Sequence, residues 1–201
     1  MARPSRIDEQ RRRLLPRVAE AFARLGYRRA TTSELARCCK VRENILYRLW
    51  EDKKEMFLAA IESLFQRRRD ELEEAVRRSR GGTDRAEKML AYVGRHFGDN
   101  PLARVIFAGL AETDDPEIRR CLARMYGNYR EFLEREIRDH RRISGSRAPS
   151  GVEASALALI GLGTILNVLD ELEAIPRKGR EAFFARAFRQ IGPLLLGEAK
   201  R

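Results

Sequence analysis

Cysteine, histidine and tryptophan are scarce in this chain: three, two and one among 201 residues. Cys38 and Cys39 are neighbours and Cys121 stands alone, so the thiols have no metal-ligand spacing and read as reduced thiols of a cytoplasmic protein. His96 and His140 have no Cys, Asp or Glu at ligand spacing, which gives no metal site. No nucleophile–base constellation stands out. The glycine pair in SRGGTD, 79–84, lacks the Lys-Ser/Thr of a phosphate loop. The expectation is therefore a protein that is not an enzyme and takes no cofactor. A run of about 18 apolar residues is missing, and so is an apolar stretch behind the basic start MARPSRIDEQRRR; a membrane span and a signal peptide are not expected. Sustained strand alternation is also missing, which leaves an all-α fold.

What is present is charge. The net value is +11, with 43% hydrophobic and 35% charged residues. Residues 1–50 hold 13 Lys and Arg against 5 Asp and Glu, whereas residues 51–100 hold 11 of each. Positive charge gathered in the first quarter suits a polyanion, nucleic acid or an acidic membrane surface.

Helical periodicity and caps divide the chain into about nine helices. Ser5-x-x-Asp8 opens the first as a capping box, and Gly26 closes it; Pro16 inside predicts a kink or a late start. Thr31-x-x-Glu34 opens the second, to Cys39. A turn near Lys40 leads to a third over about Arg42–Trp50, and Asp52-x-x-Glu55 caps a fourth. Helices over about Asp84–Gly98, from Asn100-Pro101, and from Asp115-Pro116 to about Ile143 follow. Beyond the loop SGSRAPSG, two more cover about Val152–Leu172 and Gly179–Leu196, with Gly192-Pro193 bending or ending the last. The expected domains are 1–51, a connecting helix 52–80, and 81–201.

The third helix is too short to stand alone. On a wheel of 100° per residue, Val41, Ile45, Leu46, Leu49 and Trp50 share one half; Glu43, Asn44, Tyr47, Arg48 and Glu51 share the other. Two helices with a short turn, the second showing polar side chains, make either a helix-turn-helix or an ordinary helical hairpin. Arg, Asn and Glu can read guanine, adenine and cytosine in a major groove. Lys53 and Lys54 oppose the positive end of the fourth helix, a conflict that a phosphate would remove.

AFARLGYRRATTSELARCCKVRENILYRLWEDKKEMF resembles the N-terminal pattern of the TetR family of transcriptional regulators, with spacing kept over about 37 residues. The matches are Phe22, Gly26, Tyr27, Thr31, Thr32, Leu35, Ala36, Val41, Leu46, Tyr47, Trp50 for phenylalanine, Lys53, Glu55, Met56 and Phe57. The resemblance implies a homodimer on an operator, most often as a repressor released by a small molecule. It implies phosphate contacts from Thr32, Tyr47 and Lys53, and backbone contacts from Arg28 and Arg29. Arg42, Glu43, Asn44, Ile45 and Arg48 would lie near bases or the adjacent backbone. Lys40, Arg42 and Asn44 stand where the family has glycine, serine and glycine; Lys40 in the turn can reach a phosphate. These departures keep open a second reading, a helical interaction protein with altered or lost specific DNA binding.

In the family, the remainder is a ligand-binding and dimerisation domain. Here ASALALIGLGTILNVL, 154–169, is apolar nearly all round and must bury both sides. Leu157, Gly161, Ile165, Val168, Phe184, Phe188 and Ile191 form the expected homodimer surface. Tyr92, His96, Phe107, Met125, Tyr126 and Tyr129 are the candidates for a small-molecule pocket.

Overall fold

The computed structural model describes residues 5–77, 101–146, 151–174 and 178–197, apart from a few side chains in the fourth and last helices. Eight helices and no strand occur among the described residues: α1 (Arg6–Arg29), α2 (Thr32–Cys39), α3 (Glu43–Leu49), α4 (Lys53–Arg77), α5 (Pro101–Leu110), α6 (Pro116–Ser144), α7 (Val152–Glu171) and α8 (Arg180–Leu196). The helix expected over 84–98 lies outside them. The chain divides into two compact units, Met1–Arg68 with Pro101–Met125 and Arg69–Asn100 with Tyr126–Arg201.

Local chemistry sets the element ends in the first unit. The Ser5 hydroxyl accepts from the Asp8 amide at 3.1 Å, and the Asp8 carboxylate accepts from the Ser5 amide at 3.3 Å. The Ser5 hydroxyl also donates to the Asp8 carboxylate at 2.7 Å, and chiefly this bond holds the Asp8 carboxyl below its ordinary range. Gly26, with φ 73° and ψ 168°, is the one α1 residue outside helical geometry. The late start that Pro16 allowed does not occur: α1 begins at Arg6 and keeps helical backbone angles through Pro16. Pro16 is exposed, while Leu14, Val18, Ala19, Ala21 and Phe22 bury the helix on either side of it. Burial of about 1.5–3 kcal/mol per large side chain outweighs the backbone bond that proline removes.

The Thr31 hydroxyl caps α2 by accepting from the Glu34 amide at 3.2 Å. Lys40 ends α2 in the left-handed region, φ 56° and ψ 44°, and the Val41 amide then reaches back to the Ala36 carbonyl at 3.0 Å. This is the glycine-type helix stop made with a lysine. Asp52 accepts from the Glu55 amide at 2.7 Å and starts α4. Phe22, Leu35, Leu46, Leu49, Met56, Phe57 and Ile61 are fully buried between α1, α2, α3 and α4. Phe57 meets Phe22 edge-on, with centroids 5.0 Å apart. Asp115 caps α6 for the Glu117 and Ile118 amides at 2.8 and 3.2 Å.

In the second unit Leu72, Phe132, Leu133, Ile137, Ala156 and Leu196 form the core, with Tyr129, Val152, Leu159 and Ile160 against it. Arg141 binds the Leu195 carbonyl at 2.8 Å and the Ser155 hydroxyl at 2.9 Å, so a cation sits at the negative end of α8. α8 runs on through Gly192-Pro193 to Leu196 and does not end there. The both-sided burial expected of α7 is not met within one chain: Leu157 is 65% and Ile165 48% exposed. By length and composition α7 could also cross a bilayer: an 18-residue window within its 20 residues has a mean hydropathy of 1.8, a test that a core helix of a soluble protein also passes.

Candidate nucleic-acid interface

α3 has seven residues and no side-chain cap, because Arg42 at its N-cap cannot accept an amide proton. It is held from α1 instead. Arg11 donates to the Leu49 carbonyl at the end of α3 and to Glu55 of α4 at 3.0 Å, with its guanidinium 5.9 Å over Trp50. Arg17 donates to the Cys39 carbonyl at the end of α2, at 3.1 Å. Two α1 arginines thus satisfy orphan carbonyls at the ends of both short helices, where the dipole favours a cation. Part of the positive charge of residues 1–50 is structural: Arg11, Arg17, Arg24 and Arg37 all have partners inside the unit.

The outward face of α3 is the opposite case. Arg42, Glu43, Asn44, Tyr47 and Arg48 are exposed and Ile45 is half-buried beside them. Lys40, Arg42, Glu43 and Asn44 have no side-chain partner among the described residues. Tyr47 and Thr32, far apart in sequence, meet with their hydroxyls 3.0 Å apart. One hydroxyl proton of that pair remains free for an anion. Arg48 donates to Gln10 of α1 at 2.7 Å.

The remaining cations differ. The Lys53 ammonium donates to the Tyr27 carbonyl at 3.2 Å and lies 4.3 Å over the Tyr27 ring. Lys54 pairs with Glu117 at 2.7 Å and Asp115 at 3.3 Å, so carboxylates of the same unit relieve its conflict with the α4 dipole, where a phosphate was expected to do so. The hydrogen bond to Glu117, then that to Asp115, raises the Lys54 ammonium above its ordinary range. Arg28 pairs with Glu112 at 2.7 Å and Arg29 binds the Leu25 carbonyl at 3.1 Å; both stay exposed at the α1–α2 corner. Burial, then Asp52, Asp115 and Glu112, push the Tyr27 phenol up.

Gln10, Arg11 and Arg17 were missed by the sequence reading. Their signal is faint, since a partner 22 to 44 positions away leaves no periodic trace. Burial pushes the Cys39 thiol up to about 11, while Cys38 is half-buried with Arg24 donating to its sulfur at 3.0 Å.

Of the pocket candidates, Tyr92 and His96 lie outside the described residues. Phe107 is half-buried and Met125 buried in the first unit; Tyr126 and Tyr129 are half-buried in the second. No cluster of three or more metal-ligating side chains occurs among the described residues. Of the dimer candidates, Leu157, Gly161 and Ile165 are exposed, and Val168 and Ile191 half-buried; the Phe184 and Phe188 side chains lie outside the description.

Residues 18–60 match the family of bacterial regulatory proteins, tetR family. No curated protein matches the chain. Among solved structures, a TetR-family transcriptional regulator from Cytophaga hutchinsonii is similar at TM-score 0.79 and 17% identity, with 100% of both chains covered. One from Chloroflexus aurantiacus is similar at TM-score 0.74 and 18% identity, over 92% of this chain and 96% of that one. The TetR-family regulator CifR, a cysteine mutant in complex with a 26 bp operator duplex, is similar at TM-score 0.73 and 19% identity, over 94% and 98%. The chain has the fold of these regulators, with a helix-turn-helix at its N-terminal end.

Proposed function

We propose that this chain, whose helix-turn-helix segment at residues 18–60 belongs to the tetR family of bacterial regulatory proteins, is a homodimeric, sequence-specific DNA-binding transcriptional regulator. The observation that carries the reading is the exposed face of α3. Arg42, Glu43 and Asn44 are side chains able to read bases, without a side-chain partner among the described residues, on a helix held from behind by Arg11 and the buried Leu46 and Leu49. Ile45 would touch the groove beside them. The Tyr47–Thr32 pair would give its free hydroxyl proton to one phosphate, Lys40 would donate to another from the turn, and Arg28 and Arg29 to the flanking backbone. Lys53 would act from the start of α4, its ammonium shared with the Tyr27 carbonyl.

The stripe of exposed Leu157, Gly161 and Ile165 with half-buried Val168 would meet the same stripe of a second copy, joined by Phe184, Phe188 and Ile191. A self-complementary surface is what a two-fold dimer requires. A bilayer is the poorer occupant, because the opposite side of α7 packs into the unit's own core and Ser155 accepts from Arg141. The protein would act in the cytoplasm, as a repressor that a small molecule releases by favouring another separation of the two α3 helices. DNA fits only when they lie about 34–36 Å apart, or a multiple of that. Of the pocket candidates, Tyr126 and Tyr129 of the second unit are the described residues proposed to receive the effector. No enzymatic step belongs to this reading.

The test is a titration of the DNA upstream of its own gene at several salt concentrations. The expected result is a preferred site bound more tightly than random duplex, with a steep salt slope. Equal affinity for both duplexes would refute sequence-specific regulation.

A further inference from the structure

We infer that Gln10 of α1 is a positioning residue for base reading, holding the guanidinium of Arg48 in place on the face of α3. The inference rests on the reading of α3 just proposed. Arg48 lies four residues after Asn44, on the same exposed face, and donates from Nη2 to the Gln10 side-chain oxygen at 2.7 Å. Gln10 stands on a fixed base. Leu14 and Val18, four and eight residues on, are buried, and its neighbour Arg11 ties α1 to the Leu49 carbonyl and to Glu55. A long arginine otherwise loses rotamer freedom when it docks; one that is already held loses less.

The chemistry of the partner matters as much as its place. Arg28 and Arg37 are paired with the carboxylates of Glu112 and Glu34, which neutralise them. Gln10 is uncharged, so it orients Arg48 without cancelling the charge that a base edge or phosphate needs. A guanidinium has five N–H donors; the bond to Gln10 uses one edge and leaves the other for a bidentate contact, as to guanine O6 and N7.

The experiment selects preferred sites from a random duplex library with the full chain, then measures affinity at every position for wild type, Gln10→Ala, Arg48→Ala and the double variant. Arg48→Ala is expected to lose about 5- to 150-fold discrimination at one or two base pairs. Gln10→Ala should lose about 3- to 10-fold at those same base pairs and, added to Arg48→Ala, change affinity no further. Gln10→Glu should bind more weakly than Gln10→Ala, because a carboxylate neutralises Arg48. A Gln10→Ala loss spread evenly over all positions, or one of equal size on the Arg48→Ala background, overturns the inference; so does an Arg48→Ala variant with unchanged preference. If Gln10→Ala melts earlier than wild type, Gln10→Met, which keeps the stem without the acceptor, is read in its place. A wild-type chain that selects no sequence would remove the DNA reading too. A wild-type chain that selects a site which these variants leave unchanged would remove the positioning role alone.

Discussion

α3 and α7 each turn an uncovered face to solvent, and the two faces are opposite in chemistry. On α3 the uncovered groups are Arg42, Glu43, Asn44, Tyr47 and Arg48; on α7 they are Leu157, Gly161 and Ile165. A charged face costs nothing in water, so its exposure says only that it is available. An apolar face costs about 25 cal/mol per Å² left in water, so its exposure demands a cover. The two faces therefore differ in the kind of partner proposed for them, DNA for one and a second copy for the other. They also differ in how they are held. α3 is short and depends on Arg11 from α1, whereas α7 is 20 residues long and anchored through Ser155, Ala156 and Leu166.

The largest expected effect separates the two faces. Leu157→Asp with Ile165→Asp would put like charges on both sides of the proposed two-fold interface. Sedimentation should then show a monomer, with affinity for a palindromic site down about 100-fold or more, since the second half-site no longer helps. A stable dimer in that variant would show that α7 is covered in another way.

Gly26→Ala tests the base on which α3 rests. Gly26 sits at φ 73° and ψ 168° with nothing within 4 Å of an added Cβ, so the cost is in the backbone alone. The expected loss is about 1–3 kcal/mol by denaturant titration. An unchanged midpoint would mean that α1 can end without its glycine. Tyr47→Phe removes one hydroxyl and keeps the ring. DNA affinity should fall about 3- to 10-fold at every sequence alike, with the dimer and the melting midpoint intact.

Lys40→Gly moves the two properties in opposite directions. Glycine suits the left-handed turn better than lysine, so stability should rise by up to about 1 kcal/mol. The salt slope of DNA binding should lose about one unit if Lys40 meets a phosphate. The smallest effect is electrostatic. Burial raises the Asp115 carboxyl, but the Glu117 and Ile118 amides and Lys54 together bring it below its ordinary value. A lowered carboxyl contributes stability that is present above about pH 3.9 and is lost as pH falls through the lowered value. Asp115→Asn keeps a cap but removes this charge, so the acid limb of the stability profile should flatten slightly. Identical limbs would mean that the Glu117 and Ile118 amides and Lys54 do not hold the Asp115 carboxyl low.

Much of this was legible along the chain because the signals are local. Ser5-x-x-Asp8, Thr31-x-x-Glu34 and Asp52-x-x-Glu55 place helix starts within four residues, and Asp115-Pro116 does the same for α6. Pro16 does not delay the start of α1, because burial of the residues around it outweighs the local rule. Lys54 misled because its carboxylate partners lie about 60 positions away, at the start of another helix.

The sequence by itself determined the helices, their caps, the turn at Lys40 and the polar side of α3, since all of these depend on neighbours within one or two helical turns. Only the tertiary structure decided which of the many cations are free. Arg11, Arg17 and Lys54 are taken up by carbonyls and carboxylates from distant elements, whereas Lys40 and Arg42 have no side-chain partner among the described residues. Charge counts along a chain are additive, but pairing depends on which helix ends the fold brings within about 3 Å of each guanidinium or ammonium.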